Sequence, residues 1–393
     1  MAIQPQHDCC DCFDAKKDVH TEHRIGGGYL YRPNQLLVHE EDVERVEAAL
    51  RKQRVDFVDP SRVRDTSQVR FRLRRNAPAV PWLVRALRSC DEDADHALRV
   101  APDHVMVGFG HPLAFPGGPP SEAPALRDLR GDAGCNAKVA ILDTGVVSRH
   151  AWFAGRAPAG RRDQEEAPNP GSQLGVYAGH GTFIAGVVLQ QAPGAKLHIK
   201  KAFTGEGGIS DTELAQRLAD LPHDVDVVNI SFGAYTHGDQ PLPAVTDAVR
   251  SLLQRGRRPV VVAAAGNQGT NRAIWPAALK GVIAVAATDG KRGRARFSSH
   301  GPWVDAAALG KDVHSTFFEG ELTPAPHHGN PQPQQQFCGF AKWSGTSFAA
   351  PWVAGRIAAK MTTNGPGAAR TAALAVLADA ISTDREIGAI LTP

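Results

Sequence analysis

Residues 138–145 read Lys-Val-Ala-Ile-Leu-Asp-Thr-Gly, an unbroken apolar run stopped by a carboxylate, a hydroxyl and a glycine. A strand without polar alternation is apolar on both faces, the mark of a parallel sheet covered by helices on either side. Runs of the same texture recur at 196–200, 225–230, 260–265 and 282–286, with helical stretches at 211–221 and 245–255 between some of them. Strands alternating with helices predict an α/β unit with a parallel sheet, spanning 125–393. Asp143 then stands at the C-terminal end of a strand, where open α/β sheets carry their sites.

N-terminal to this unit the texture changes. Residues 1–28 read as a polar tail ending in Gly26-Gly27-Gly28. From 29 to 110 the pattern gives a strand at 35–38, a helix with Val43, Val46 and Leu50 on one face, strands at 55–58 and 69–73, a helix from Pro81 and a last strand at 105–107. At 69–74, Val69, Phe71 and Leu73 alternate with Arg70, Arg72 and Arg74, so the arginines form a solvated face. The order β-α-β-β-α-β predicts a small α+β ferredoxin-like domain. Residues 111–124, rich in Pro and Gly, read as a linker, and 323–336, rich in Pro, Gln and His, as a surface insertion loop.

Four segments fall at strand ends or helix starts of the larger unit: Leu142-Asp143-Thr144-Gly145, Gly179-His180-Gly181-Thr182, Ala265-Gly266-Asn267 and Ser344-Gly345-Thr346-Ser347. Acyl transfer by a serine needs a hydroxyl at a sharp turn, a neutral imidazole within reach and a carboxylate that holds the imidazole in one tautomer. Ser347, His180 and Asp143 supply these groups. Each also has a plain reading: Asp-Thr-Gly occurs in ordinary turns, a histidine can be a satisfied core residue, and Ser347 could simply N-cap the apolar helix that follows.

Together the segments resemble the subtilisin family of serine proteases, over about 250 residues from near Lys138. The resemblance is carried by Val-Ala-Ile-Leu-Asp-Thr-Gly, Gly-His-Gly-Thr and Ser-Gly-Thr-Ser-Phe-Ala-Ala-Pro, in the chain order Asp, His, Ser. It implies a catalytic triad of Asp143, His180 and Ser347, with an oxyanion hole from the Asn267 amide and the Ser347 N–H. It also implies substrate strands at Gly207-Gly208-Ile209 and Ser231-Phe232-Gly233. Ala264, Ala265 and Gly266 would line the pocket for the residue before the scissile bond, a pocket whose small residues favour a large apolar side chain. The N-terminal domain looks like a subtilisin propeptide, an intramolecular inhibitor whose last strand, 100–107, enters the active site. Trp343 and Trp352 stand where the family commonly has Met and His, so packing around the serine helix should differ while the triad's chemistry does not.

Composition excludes other classes. Of 393 residues 42% are hydrophobic and 22% charged, and 44 basic against 41 acidic residues leave +3, with no basic cluster for nucleic acid. No apolar run approaches the roughly 20 residues of a membrane span. The start of the chain lacks the features of a secretory signal, which gives cytoplasmic residence as the expectation. Cys9, Cys10 and Cys12 crowd the tail while Cys90, Cys135 and Cys338 stand apart, so reduced thiols are expected. Neither the first group with His7 nor His327-His328 completes a metal-ligand pattern. No cofactor is required, and although the family often binds calcium, no dense acidic loop identifies a site. The expected partner is a protein or peptide substrate. The competing function is a catalytically silent cleft that binds peptides.

Overall fold

The computed structural model describes residues 20–22, 28–74, 77–89, 97–108, 118–127, 131–147, 149–153, 162–203, 207–291, 293–327 and 329–392. Cys9, Cys10, Cys12, His7, Cys90 and His328 lie outside them. A short strand β1 (His20–Glu22) pairs with the start of β2 (Tyr29–His39). There follow α1 (Val43–Lys52), β3 (Phe57–Arg62), β4 (Gln68–Leu73), α2 (Val80–Ser89) and β5 (Val100–Gly108). The strands form an antiparallel sheet in the order β5-β2-β4-β3. Val69, Phe71 and Leu73 are buried and Arg72 and Arg74 exposed, but Arg70, expected on the same solvated face, is half-buried because it lies in register with Leu37, on the face covered by the larger unit. Leu36, Val38 and Phe71 share a core with Val46, Leu50, Leu83 and Leu87 of the two helices.

The larger unit opens with β6 (Ser121–Glu122), β7 (Lys138–Asp143), β8 (Val146–Val147) and β9 (Gln164–Glu165). Next come α3 (His180–Gln191), β10 (Lys196–Lys201), β11 (Ile209–Ser210), α4 (Asp211–Ala219), β12 (Val227–Ile230), β13 (Phe232–Gly233), α5 (Pro243–Leu252), β14 (Val260–Ala264) and β15 (Val282–Thr288). The chain ends through β16 (Ala306–Leu309), β17 (Val313–Leu322), β18 (Gln335–Trp343), α6 (Thr346–Lys360), α7 (Ala368–Ala378), β19 (Ser382–Asp384) and β20 (Gly388–Ile390). Strands β10-β7-β12-β14-β15-β16-β20 are parallel neighbours, closed by antiparallel β19. Val139, Ile141, Val227 and Val262 pack with Phe183, Val353 and Ile357 on one face, whereas Ala140, Leu142, Val228 and Val261 pack with Leu214 and Val245 on the other. The central strands are dry on both faces, which is why they carry no alternation; edge strand β10, Lys-Leu-His-Ile-Lys-Lys, differs from the unbroken run expected at 196–200, burying Leu197 and Ile199 while Lys196 is exposed and His198 half-buried. Among the described residues no helix is long and apolar enough to cross a membrane.

Two stretches differ from the sequence reading. The end of the Pro/Gly-rich linker is structured: β6 pairs with β18, and Trp343 Nε1 donates to the Gly118 carbonyl at 3.0 Å. The insertion loop is shorter by two residues, because Gln335 and Gln336 already pair with Leu322 and Glu321 in the β17–β18 hairpin.

The two units share a sheet and a core. The end of β5 pairs with β11 on one side and with β13 on the other. Leu37 and Met106, on the sheet face away from α1 and α2, are fully buried among Leu214, Leu218, Val245 and Val249. Leu37→Ala should therefore lower the stability of the full chain by about 2–5 kcal/mol, the usual range for a buried leucine. Urea titration checks it; a loss below about 1 kcal/mol would mean that this face is not tightly packed.

Candidate active site

Asp143 ends β7 and is wholly buried. A buried carboxylate must be satisfied by donors, and Asp143 Oδ1 accepts the Thr144 N–H at 2.8 Å and lies 2.8 Å from His180 Nδ1. His180 is the first residue of α3 and 2% exposed. Gly145, at φ +103°, lets the chain leave the strand in a conformation that side-chain-bearing residues rarely adopt. The α3 helix then approaches so closely that a Cβ on Gly181 would lie 2.1 Å from the Gly145 carbonyl oxygen. The glycine flanking His180 is thus a contact requirement between the Asp143 and His180 segments.

Ser347 is the second residue of α6. Gly345, not Ser347, occupies the N-cap, so the capping role is taken. Its N–H lies in the first helical turn, where backbone donors have no intrahelical acceptor. The Ser347 hydroxyl donates to the Ser231 carbonyl at 3.1 Å rather than to His180. Ser231 in turn donates its hydroxyl to the Ser347 carbonyl at 2.9 Å and receives the Asn229 amide at 2.9 Å. A buried hydrogen-bonded frame therefore holds the serine from behind. Rings of Trp343 and Phe348 lie 5.6 and 5.5 Å from the His180 ring, with Phe183 packed 4.4 Å from Phe348. Trp343 was expected to alter only packing near the serine helix; it stands edge-on against the imidazole itself.

Asn267 is 1% exposed, and its Oδ1 accepts both the N–H and the hydroxyl of Thr346 at 2.9 Å. With the oxygen so occupied, the amide's donor is Nδ2, which lies 3.2 Å from where a Gly345 Cβ would sit, beside the start of α6. Ala264 ends β14, Ala265 and Gly266 follow it, all three buried, and Gly266 N–H donates to the Thr346 hydroxyl at 3.0 Å. Across the cleft, Ile209 lies opposite Met106, and Phe232 and Gly233 lie opposite Gly108 and Val107. Gly207 and Gly208 lead into β11. Ser231 faces the serine, whereas the Phe232 ring points into the core against Phe203 at 5.1 Å.

Compared with known proteins, residues 134–387 match the model of the subtilase family. The chain belongs to the subtilase family. It is 34% identical over 249 residues to Subtilisin Savinase of Lederbergia lenta, covering 60% of this chain and 80% of that protein. Thermitase of Thermoactinomyces vulgaris is 32% identical over 275 residues, covering 66% and 87%. The crystal structure of fervidolysin from Fervidobacterium pennivorans shares the fold with a TM-score of 0.61 at 22% identity, covering 95% of this chain and 61% of that one. In this subtilisin-like serine protease Asp143, His180, Ser347 and Asn267 are all buried, at the end of β7, the start of α3, the start of α6 and just beyond β14.

One residue of the subtilase site was not legible beforehand. Glu165, at the end of β9, is buried, and its carboxyl accepts the Thr144 hydroxyl and the Gly179 N–H, both at 3.0 Å. Thr144 Oγ1 also accepts the Gly181 N–H at 3.0 Å, so these bonds stitch the Asp143 turn to the start of α3. Burial pushes the Glu165 carboxyl up to about 8, the charge of Asp143 adding to the rise and the two accepted bonds and Lys201 opposing it. Cys135 and Cys338 are exposed free thiols, and among the described residues no group of three or more His, Cys, Asp or Glu could hold a metal.

A carboxyl raised in the folded state binds its proton more tightly there than when unfolded, so its contribution is full below the unfolded pKa and is lost as pH rises through the folded one. The stability difference between the protein and Glu165→Gln should therefore change steadily from about pH 4.5 to about 8 and level off beyond. Urea midpoints of the two proteins across that range check this; parallel curves would show that Glu165 does not retain its proton in the folded state.

Proposed function

We propose that the chain is a serine endopeptidase working through an acyl-enzyme on Ser347 and restrained by its own residues 29–110. The observation that supports the reading is the buried Asp143–His180 bond together with a Ser347 held by Ser231, the residue just before β13, where β5 pairs with both β11 and β13.

In this mechanism the Ser347 hydroxyl turns from Ser231 toward His180, gives its proton to Nε2 and attacks the substrate carbonyl. Asp143 holds Nδ1–H and stabilises the imidazolium. The oxyanion is held by the Ser347 N–H and Asn267 Nδ2, donors already fixed by α6 and Thr346. His180 then protonates the leaving amine, and water repeats the sequence on the acyl-enzyme. The aromatic walls of Trp343 and Phe348 exclude water from the imidazole. No metal or cofactor enters a step.

The restraint reading is supported by backbone pairing: β5 engages both cleft edges as an extended substrate would, the mode of β-strand addition. Being tethered, it acts at an effective concentration of roughly millimolar. A ferredoxin-like propeptide role fits this small sheet, whose order is β5-β2-β4-β3. Gly108 ends β5 opposite Phe232, the neighbour of Ser231, so the bond the chain would cut in itself is expected within 106–112. A silent peptide-binding cleft would have no use for all four polar groups.

Ser347→Ala and His180→Ala should each abolish hydrolysis of a peptide substrate and labelling by a fluorophosphonate while the circular-dichroism spectrum stays native. Labelling that survives in Ser347→Ala would remove the acyl-enzyme mechanism. Asn267→Ala should lower kcat by about 10² to 10³ with little change in KM, the loss reported for the equivalent donor of subtilisin itself; a raised KM at constant kcat would make Asn267 a ground-state binding group. N-terminal sequencing of the purified protein should give a new start within 107–113, absent from Ser347→Ala.

A further inference from the structure

The strand in the cleft carries a glycine at the one position where the wall permits nothing larger. Gly108 lies opposite Phe232 at the end of β5, and a Cβ built on it would stand 2.6 and 2.7 Å from Cε1 and Cδ1 of Tyr177 and 3.3 Å from Cζ. Separations below 3.0 Å require something to move. Tyr177 is not free to yield: its side chain is 1% exposed, it sits edge-on to Phe203 at 5.6 Å, and its backbone carbonyl accepts the His180 N–H at 3.0 Å. Phe203 is itself pressed edge-on against Phe232 at 5.1 Å. The ring is therefore braced by the same residues that form the cleft edge. Other positions of the strand are not closed in this way: Val107 keeps partial exposure, and Met106 enters an apolar site with Ile209 and Leu214.

An added strand is read residue by residue, because pairing with β11 and β13 fixes which side chain meets which wall. We propose that Tyr177 is a specificity residue that restricts substrates of this protease to peptides with glycine at the position opposite Phe232. This rests on the reading of the cleft as a proteolytic substrate site, and it narrows that reading to a class: extended peptides with glycine at the position of Gly108. The exclusion is steric, and a braced aromatic ring excludes a methyl group more effectively than an open apolar pocket discriminates one methylene, for which the usual factor is 10- to 200-fold.

Two measurements test it. The first uses a nine-residue peptide with the sequence of residues 104–112 and the same peptide with alanine in place of the glycine of position 108, the glycine of position 110 being kept in both. The purified enzyme should cleave the glycine peptide at least about 30-fold more efficiently in kcat/KM, and Tyr177→Ala should bring the two within about threefold of each other. Equal cleavage of both by the unaltered enzyme overturns the proposal, and rejection of the alanine peptide that persists in Tyr177→Ala overturns the assignment to Tyr177. The second needs no catalysis. In the full chain carrying Ser347→Ala, Gly108→Ala should speed tryptic removal of the N-terminal module, and adding Tyr177→Ala should restore the slower rate. If the peptides are not cleaved at all while this coupling appears, the protease reading falls and the glycine filter stands as a binding preference; if Gly108→Ala leaves the tryptic rate unchanged, the filter itself is refuted.

Discussion

The contact on which the site depends is a 2.8 Å hydrogen bond between two groups that water does not reach, Asp143 Oδ1 and His180 Nδ1. An ionised carboxylate buried without donors would cost several kcal/mol. It is tolerated here because β7 delivers it to the sheet's C-terminal edge, where the Thr144 N–H and the imidazole converge on one oxygen. Every neighbouring choice serves that convergence. The glycine at 181 allows α3 to touch the Gly145 turn, and Glu165 and Thr144 tie the two segments together a second time.

The parallel sheet explains why such a site is stable. Its strands are apolar on both faces and clamped between α3, α6 and α7 on one side and α4 and α5 on the other, so their ends are positioned by close-packed cores rather than by loops. Ser347 and Asn267 reach the same point from α6 and the end of β14, and the frame through Ser231 and Thr346 locks them to each other. Preorganisation of this kind lets donors act on a transition state without reorganising first.

The N-terminal module extends the same logic. Its sheet runs on into the cleft through β5, and its outer face completes an apolar core with α4 and α5. Backbone pairing makes the cleft tolerant of sequence in general, and one braced ring at Tyr177 makes it selective at a single position. The end of the linker returns along β18, fixed by Trp343, the residue that also walls the imidazole. The strand in the cleft and the chain that follows it are thus both anchored to elements that build the site.

Much of this was written in local sequence. Apolar runs such as 139–142, short and stopped by turn residues, read as strands covered on two sides, and period-2 alternation at 69–74 as a half-buried strand. Asp143, His180, Asn267 and Ser347 were legible because each sits in a short motif whose neighbours are constrained by the same chemistry. Glu165 was not: it stands beside exposed Glu166 in a polar stretch, and only the return of β9 against β8 buries one and leaves the other in water. Tyr177 and Trp343 were unreadable as cleft walls for the same reason, since an aromatic residue carries no mark of which distant ring or strand it will meet. Sequence determined which groups are the candidates for the chemistry and which segments form strands and helices, because those depend on periodicity and on neighbours a few residues away. Tertiary structure alone decided what surrounds those groups, because burial and steric exclusion arise between segments that the chain brings together only when it folds.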